Sequence, residues 1–334
     1  MVAQIDKQYL KFRPTKAVSR LVSYGLFEGR PLTTKGRWIN PLVFMHFALE
    51  KALPAVREVK APIFIIGTGR SGTTILGVVM SMHKDVGFLN EPKALWHAGV
   101  GFEDVIGSYT RKPARYRLDA SDCTEPIRSN IRKMFGAYLA SVMSKRLVDK
   151  YPELVFRVPF VKSIFPDARF VFLVRNGWDT CASINKWSRR LGVTESGEVH
   201  DWWGADNRKW ALMLDELIAT DELLAPVIDE IRGFSKHTDM AAVEWIVTMR
   251  EGMRRKREYP DDVHMVRYED MVQQPRQVLD EVLRFCGLPD DSVFFEYAET
   301  VLSPAPMHEP FELPEVIRSQ FKQTMCELGY GEPT

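Results

Sequence analysis

The sequence predicts a three-layer α/β fold: a mostly parallel sheet with helices on both faces, preceded by a helical N-terminal extension. Two observations carry this expectation. A glycine-rich turn, Gly67 to Gly72, joins the short apolar run Ile63–Ile66 to a helical stretch with Ile75, Leu76, Val79 and Met80 on its apolar side. Short strand-like runs then recur at Val86–Asn90, Ala168–Val174 and Asp262–Asp270, with helical stretches between them. The expected division is residues 1–60 for the extension and 61–334 for the α/β domain.

A chain of 334 residues has ample material for a large core, and 45% hydrophobic with 27% charged residues is ordinary for a globular protein. The net charge of +1 gives no global argument for nucleic acid, so any anion site is local. Cys123, Cys181, Cys286 and Cys326 are widely spaced, without a zinc pattern or the density of a disulfide scaffold; no metal is expected. The best apolar window, Pro41–Leu49, contains His46 and is far too short to span a bilayer. Reduced thiols and the lack of a signal-like N-terminus make a cytoplasmic protein the expectation.

Taken in order, residues 1–60 hold two amphipathic pieces, Val18–Leu26 and Pro41–Leu53. They read either as helices packed on the main domain or as a peripheral membrane or partner surface. The turn that follows is a phosphate cradle, because strand, glycine-rich loop and helix together aim backbone N–H groups and a helix dipole at an anion. Gly69, Arg70, Ser71, Gly72, Thr73 and Thr74 form it. Its spacing is close to that of a P-loop, yet Thr73 stands where an ATPase needs lysine, and the loop's cation is Arg70. A guanidinium there grips phosphate or sulfate through paired N–H bonds.

Val86–Asn90 ends in Glu91 and Pro92, which puts a carboxylate at a strand's carboxyl end, where ligands of open α/β sheets gather. Ile127–Val148 reads as a long helix and Leu154–Val158 as a short strand, with Lys150-Tyr-Pro152 between them. Ala168–Val174 runs into Arg175, with Ser183 about two turns along the next helix, so the pair can converge on a second anion. A nucleotide hydrolase usually has a magnesium aspartate at such a strand end, and here the residue is arginine. Trp187, Trp202, Trp203 and Trp210 read chiefly as core, with stacking on a ligand as the other reading. Arg250–Arg257 reads as the solvated face of a helix spanning 236–258, and Ser303–Pro310 as an irregular lid or binding loop.

Four stretches resemble the sulfotransferases that use 3′-phosphoadenosine 5′-phosphosulfate (PAPS). They are Pro62–Thr74, Phe165–Arg175 continuing through Asp179 and Ser183, Val266–Met271 with Phe285–Pro289, and Asn90-Glu-Pro92. The last is similar to an acidic motif of the family's carbohydrate and bacterial branches. The resemblance implies a sulfuryl transfer from PAPS to an acceptor hydroxyl. Gly69 through Thr74 would hold the 5′-phosphosulfate, with Arg70 stabilising charge on the sulfuryl oxygens, while Arg175 and Ser183 would hold the 3′-phosphate. Glu91 would be the general base, and Lys150 would support the leaving group or acceptor. The Lys-x-x-His pattern of many cytosolic members is absent, so His97 stays open beside Glu91 as the base. A P-loop kinase with a degenerate loop and a non-catalytic phosphoadenosine-binding protein are the other two readings. The acceptor's class is open.

Overall fold

Ile63, Phe64, Ile65 and Ile66 offer no polar side and are all fully buried, which suits a strand covered on both faces. In the computed structural model, which describes residues 3–34, 36–195, 197–304 and 307–331, they form β1 (Ile63–Gly67). The other strands are β2 (Val86–Asn90), β3 (Arg146–Lys150), β4 (Arg169–Val174), β5 (Val193–Glu195), β6 (Glu198–Asp201), β7 (Gly204–Ala205) and β8 (Val263–Arg267). Five of them make a parallel sheet in the order β2-β3-β1-β4-β8, and β5–β7 make a small antiparallel sheet.

Alternate side chains of the sheet feed two cores. Phe64, Ile66, Phe170 and Phe172 pack with the helices Lys93–Val100, Glu125–Ser141, Val158–Ile164 and His237–Glu258. Ile63, Ile65, Val171 and Leu173 pack with Thr73–Ser81, Pro275–Cys286 and Ser292–Val301. The fold is therefore the three-layer α/β/α arrangement with a parallel sheet.

The N-terminal residues form the helices Lys7–Phe12, Pro14–Val22 and Asn40–Ala52. Their inner side closes the exposed edge of β2. Lys16 donates to the Val86 carbonyl at 2.6 Å and Arg20 to the Phe88 carbonyl at 2.7 Å, satisfying acceptors that an edge strand otherwise leaves open. Arg13 adds a two-pronged bond to Asp291, both contacts at 2.8 Å.

Three sequence expectations are corrected. The helix expected to run to Val148 ends at Ser141, and Arg146–Lys150 is a strand. Met143 breaks the helix with φ of 51°. Leu154–Val158 is not a strand: Pro152–Arg157 is a 3-10 turn that leads into the Val158–Ile164 helix. The charged run 250–257 is not all solvated either, since Arg255 is buried and bonded to Glu251 at 2.8 Å and Glu258 at 2.7 Å.

Candidate active site

The parallel register brings the carboxyl ends of the strands to one edge. Asn90 lies opposite Lys150, Gly67 opposite Leu173, and Val174 opposite Arg267, so Glu91, Arg70 and Arg175 all leave the sheet on the same side. They line one cleft of about 690 Å³.

On the β1/β4 side, Thr68 follows the strand and its carbonyl accepts from the Ser71 hydroxyl at 2.6 Å, closing a tight turn. Gly72 precedes the helix with φ of 98°, and a Cβ there would come within 2.4 Å of the Tyr268 ring. No side chain caps the helix that begins at Thr73. Gly72, Thr73 and Thr74 line the cleft, and an uncapped helix start is suited to an anion.

Arg70 Nε donates to Ser183 Oγ at 3.2 Å, while Arg175 lies against the Arg70 carbonyl and over the Tyr268 ring, 4.4 Å from its centroid. Two guanidinium groups thus stand together. Partial desolvation by the cleft wall, and then the Arg175 charge, weaken Arg70's hold on its proton although its side chain stays exposed. Asp179 is the nearby carboxylate, 3.9 Å from Arg175, but it is already engaged by the His308 backbone N–H and ring at 2.7 and 2.8 Å. Arg175 Nε has no partner at all. The arrangement carries uncompensated positive charge and a buried donor in want of an acceptor.

The β2/β3 side is different. Lys150, 1% exposed, donates to Glu91, whose side chain is 37% open and so remains reachable from the cleft. Lys93 lies 3.6 Å from Glu91 and 2.9 Å from Glu153, extending the alternation of charge. Burial alone would raise the Glu91 carboxyl, but the ammonium groups of Lys150 and then Lys93 outweigh it and hold it at about 2. Burial also works against the Lys93 charge, and Glu153 and Glu91 overcome it, pushing Lys93 above the usual lysine range. Lys209 and Glu244, 2.6 Å apart, add another pair to the wall. Among the described residues no group of His, Cys, Asp and Glu is arranged to hold a metal ion.

A sequence model described as the sulfotransferase family matches residues 62–226 and 227–292, which span the whole site. The chain belongs to that family. An uncharacterised protein of Aquifex aeolicus (strain VF5) is 22% identical over 272 residues, 77% of this sulfotransferase and 29% of that protein. The nodulation protein NoeE of Sinorhizobium fredii (strain NBRC 101917 / NGR234) is 28% identical over 127 residues, 36% of this chain and 30% of that one. The chain spans about three tenths of the length of these curated relatives. Among solved structures, the sulfotransferase domain from the curacin biosynthetic pathway is 15% identical, with 83% of this chain and 100% of that chain covered and a TM-score of 0.47. The sulfotransferase STF1 from Mycobacterium tuberculosis H37Rv is also 15% identical, with coverage of 89% and 88% and a TM-score of 0.47. The fold assignment therefore rests on the chain's own strand order and on the family match.

Every residue that the sequence singled out for this sulfotransferase lies in or beside the cleft except His97. That histidine stacks on Tyr109, is not among the cleft-lining residues, and its Nδ1 is buried without a partner. The tryptophans divide. Trp203 and Trp210 are core, as read from sequence, but Trp202 lies so close over the phosphate turn that a Cβ on Gly69 would come within 2.5 Å of its ring. Trp202 Nε1 donates to Glu244 at 2.6 Å, and Trp187 packs edge-on against it. Sequence reading gave no role to Lys93, Glu153, Lys209, Glu244 or Tyr268, although Tyr268 lies within the Val266–Met271 stretch that carries the resemblance. Lys93 sits three residues after Asn90, and its nearness to Glu91 was the one local signal available. The loop 303–310 is anchored by His308 on Asp179; its residues 305 and 306 lie outside the described residues. Arg70 and Glu91 share one further trait, left-handed backbone with φ of 69° and 51°. Neither is glycine, so each holds local strain at the site.

Proposed function

We propose that the protein transfers a sulfuryl group from PAPS to an acceptor hydroxyl. The observation that carries this reading is the pairing of Arg70 and Arg175 with Ser183 beside an uncapped, glycine-led helix, on the same cleft as Glu91 and Lys150. One anionic group answers Arg70 and the Gly69–Thr74 turn, as a 5′-phosphosulfate would. A second answers Arg175 and Ser183, as the 3′-phosphate would, and that phosphate separates this donor from ATP.

In the reaction the acceptor oxygen attacks sulfur. A new O–S bond forms while the S–O bond to the donor's 5′-phosphate breaks, releasing the 3′,5′-bisphosphate nucleotide. The hydroxyl proton passes to Glu91, which Lys150 keeps ionised and fixed toward the cleft. Arg70 stabilises charge spread over the sulfuryl oxygens, and positioning supplies much of the rest. No proton needs to reach His97. With all four cysteines free among the described residues, we place the protein in a reducing compartment, the cytoplasm.

A thermal-shift titration tests the donor. The 3′-phosphoadenosine 5′-phosphate product is expected to raise the melting temperature, since a ligand at about 100 times its dissociation constant adds about 2.7 kcal/mol. AMP and ATP–magnesium are expected to shift it little. Equal or greater stabilisation by ATP–magnesium would sink the PAPS reading in favour of a kinase-like protein.

A further inference from the structure

Of the sixteen large apolar side chains exposed among the described residues, ten lie between Leu10 and Val56. Six of these make one stripe of sequence: Leu42, Met45 and Leu49 share a face of the Asn40–Ala52 helix, with Trp38 just before it and Leu53 and Val56 just after it. Each is more than half exposed, and Trp38 reaches 78%. The opposite face of the same helix buries Val43 and Phe47. The helix is thus apolar on both sides, and a helix of that kind is normally covered on both. Val18 and Leu21 continue the exposed apolar surface on the Pro14–Val22 helix.

Charge tells what covers it. Residues 1–60 contain eleven lysines and arginines against four acids, a net of +7, so the remaining 274 residues carry −6 within the whole chain's +1. Lys16, Arg20, Glu28 and Arg30 are buried and Arg13 is bound to Asp291, but the described residues left toward solvent, Lys7, Lys11, Arg37, Lys51, Arg57 and Lys60 against Asp6, Glu50 and Glu58, keep the surface net positive, so two copies repel one another whereas an anionic bilayer attracts it. A tryptophan standing almost free, flanked by long aliphatic side chains and basic residues, is the composition of a helix that lies in a membrane interface. No helix among the described residues is long and apolar enough to cross a membrane.

We infer that the stripe from Trp38 to Val56 docks the protein on an anionic lipid surface. The same extension lines the cleft with Pro31 to Thr34, so docking brings the cleft near the headgroups. In combination with the proposed sulfuryl transfer, this names the acceptor class: a hydroxyl on a lipid or lipid-borne headgroup.

The test is flotation of the full chain with vesicles of phosphatidylcholine containing about one-third phosphatidylglycerol, beside pure phosphatidylcholine vesicles, without nucleotide. Binding is expected to the anionic vesicles, falling steeply at about 1 M salt, where the Debye length is about 3 Å. The triple variant Trp38→Ala, Leu42→Asp, Leu49→Asp is expected to lose about 10-fold or more of that binding. It should keep its melting temperature and its shift with 3′-phosphoadenosine 5′-phosphate. No binding to anionic vesicles, or binding that the triple variant retains, overturns the inference. So does a concentration-dependent dimer, in light scattering, that the triple variant dissociates. Because the flotation uses no nucleotide, its failure leaves the donor reading standing, and failure of the donor titration leaves the docking result intact.

Discussion

The two halves of the cleft handle charge in opposite ways. Around Arg70 and Arg175 the positive charge is left over, with Asp179 already engaged by His308 and Arg175 Nε unpartnered. Around Glu91 every charge has an opposite neighbour: Lys150, Lys93 and Glu153 neutralise the row among themselves. The first half is incomplete without an anion from outside, so it fits a bisphosphorylated donor. The second is complete by itself, so it suits a neutral group, in keeping with the proposed acceptor hydroxyl. Division of labour in this fold is a matter of which charges are left unpaired.

The sharpest way to break the comparison is to remove the charge on the donor side. Arg70→Ala is expected to lower kcat about 1,000-fold. Arg70 is exposed, so circular dichroism and the melting temperature should remain near the parent's. An active Arg70→Ala enzyme would remove the catalytic role. Next in size, Glu91→Gln should cost about 100-fold in kcat and leave the affinity for 3′-phosphoadenosine 5′-phosphate intact. Activity within a few-fold of the parent would show that the proton leaves by another route. His97→Ala, away from the cleft, is the control and should change kcat less than about twofold.

A pH profile sharpens the second half. Glu91 is held at about 2, well below the ordinary 4.5, so it should place no acid limb on kcat/KM between neutrality and about pH 4. Lys150→Met removes the largest lowering influence and leaves burial to act, so an acid limb should emerge and move upward. The sign for stability follows from the same depression. A carboxylate whose folded value is lowered stabilises the fold above its ordinary value and loses that contribution as pH falls from about 4.5 toward 2. An unchanged profile in the lysine variant would mean that Glu91 does not titrate in the reaction. Smallest in effect on chemistry, Asp291→Asn breaks the clamp that Arg13 makes from the extension. It should lower stability by about 2 kcal/mol, read in urea unfolding, without changing the donor's KM.

The half of the cleft around Arg70 and Arg175 was legible in the sequence because its signals are local. Glycines at 67, 69 and 72 between an apolar strand and a helix give the turn, and Arg175 with Ser183 follows directly from the next buried strand. The half around Glu91 was legible only at Glu91 and Lys150. Its strand β3 carries the fully buried Asp149 and Lys150, whose polarity interrupts the apolar run by which a buried strand is recognised. Those two residues are tolerable there because Asp149 accepts from Trp96 at 2.8 Å and Lys150 donates to Glu91. Neither partner is adjacent in sequence. Lys93, Glu153, Lys209 and Glu244 are likewise scattered along the chain, on helices and a 3-10 turn that meet only when these pack around the cleft. Trp202 shows the same limit: nothing near it in sequence distinguishes a wall over Gly69 from a core side chain.

The left-handed backbone at Arg70 sets the protein's heat tolerance against its activity. A non-glycine residue in that conformation costs on the order of 1 kcal/mol. Arg70→Gly therefore relieves the backbone while deleting a group that faces the reaction, whereas Glu91→Gly would leave the buried Lys150 ammonium unpaired and lose more than the backbone returns. Selection of random variants for survival at high temperature alone should enrich glycine or asparagine at position 70 and retain Glu91. The hardiest proteins from such a screen would be the ones that no longer turn over.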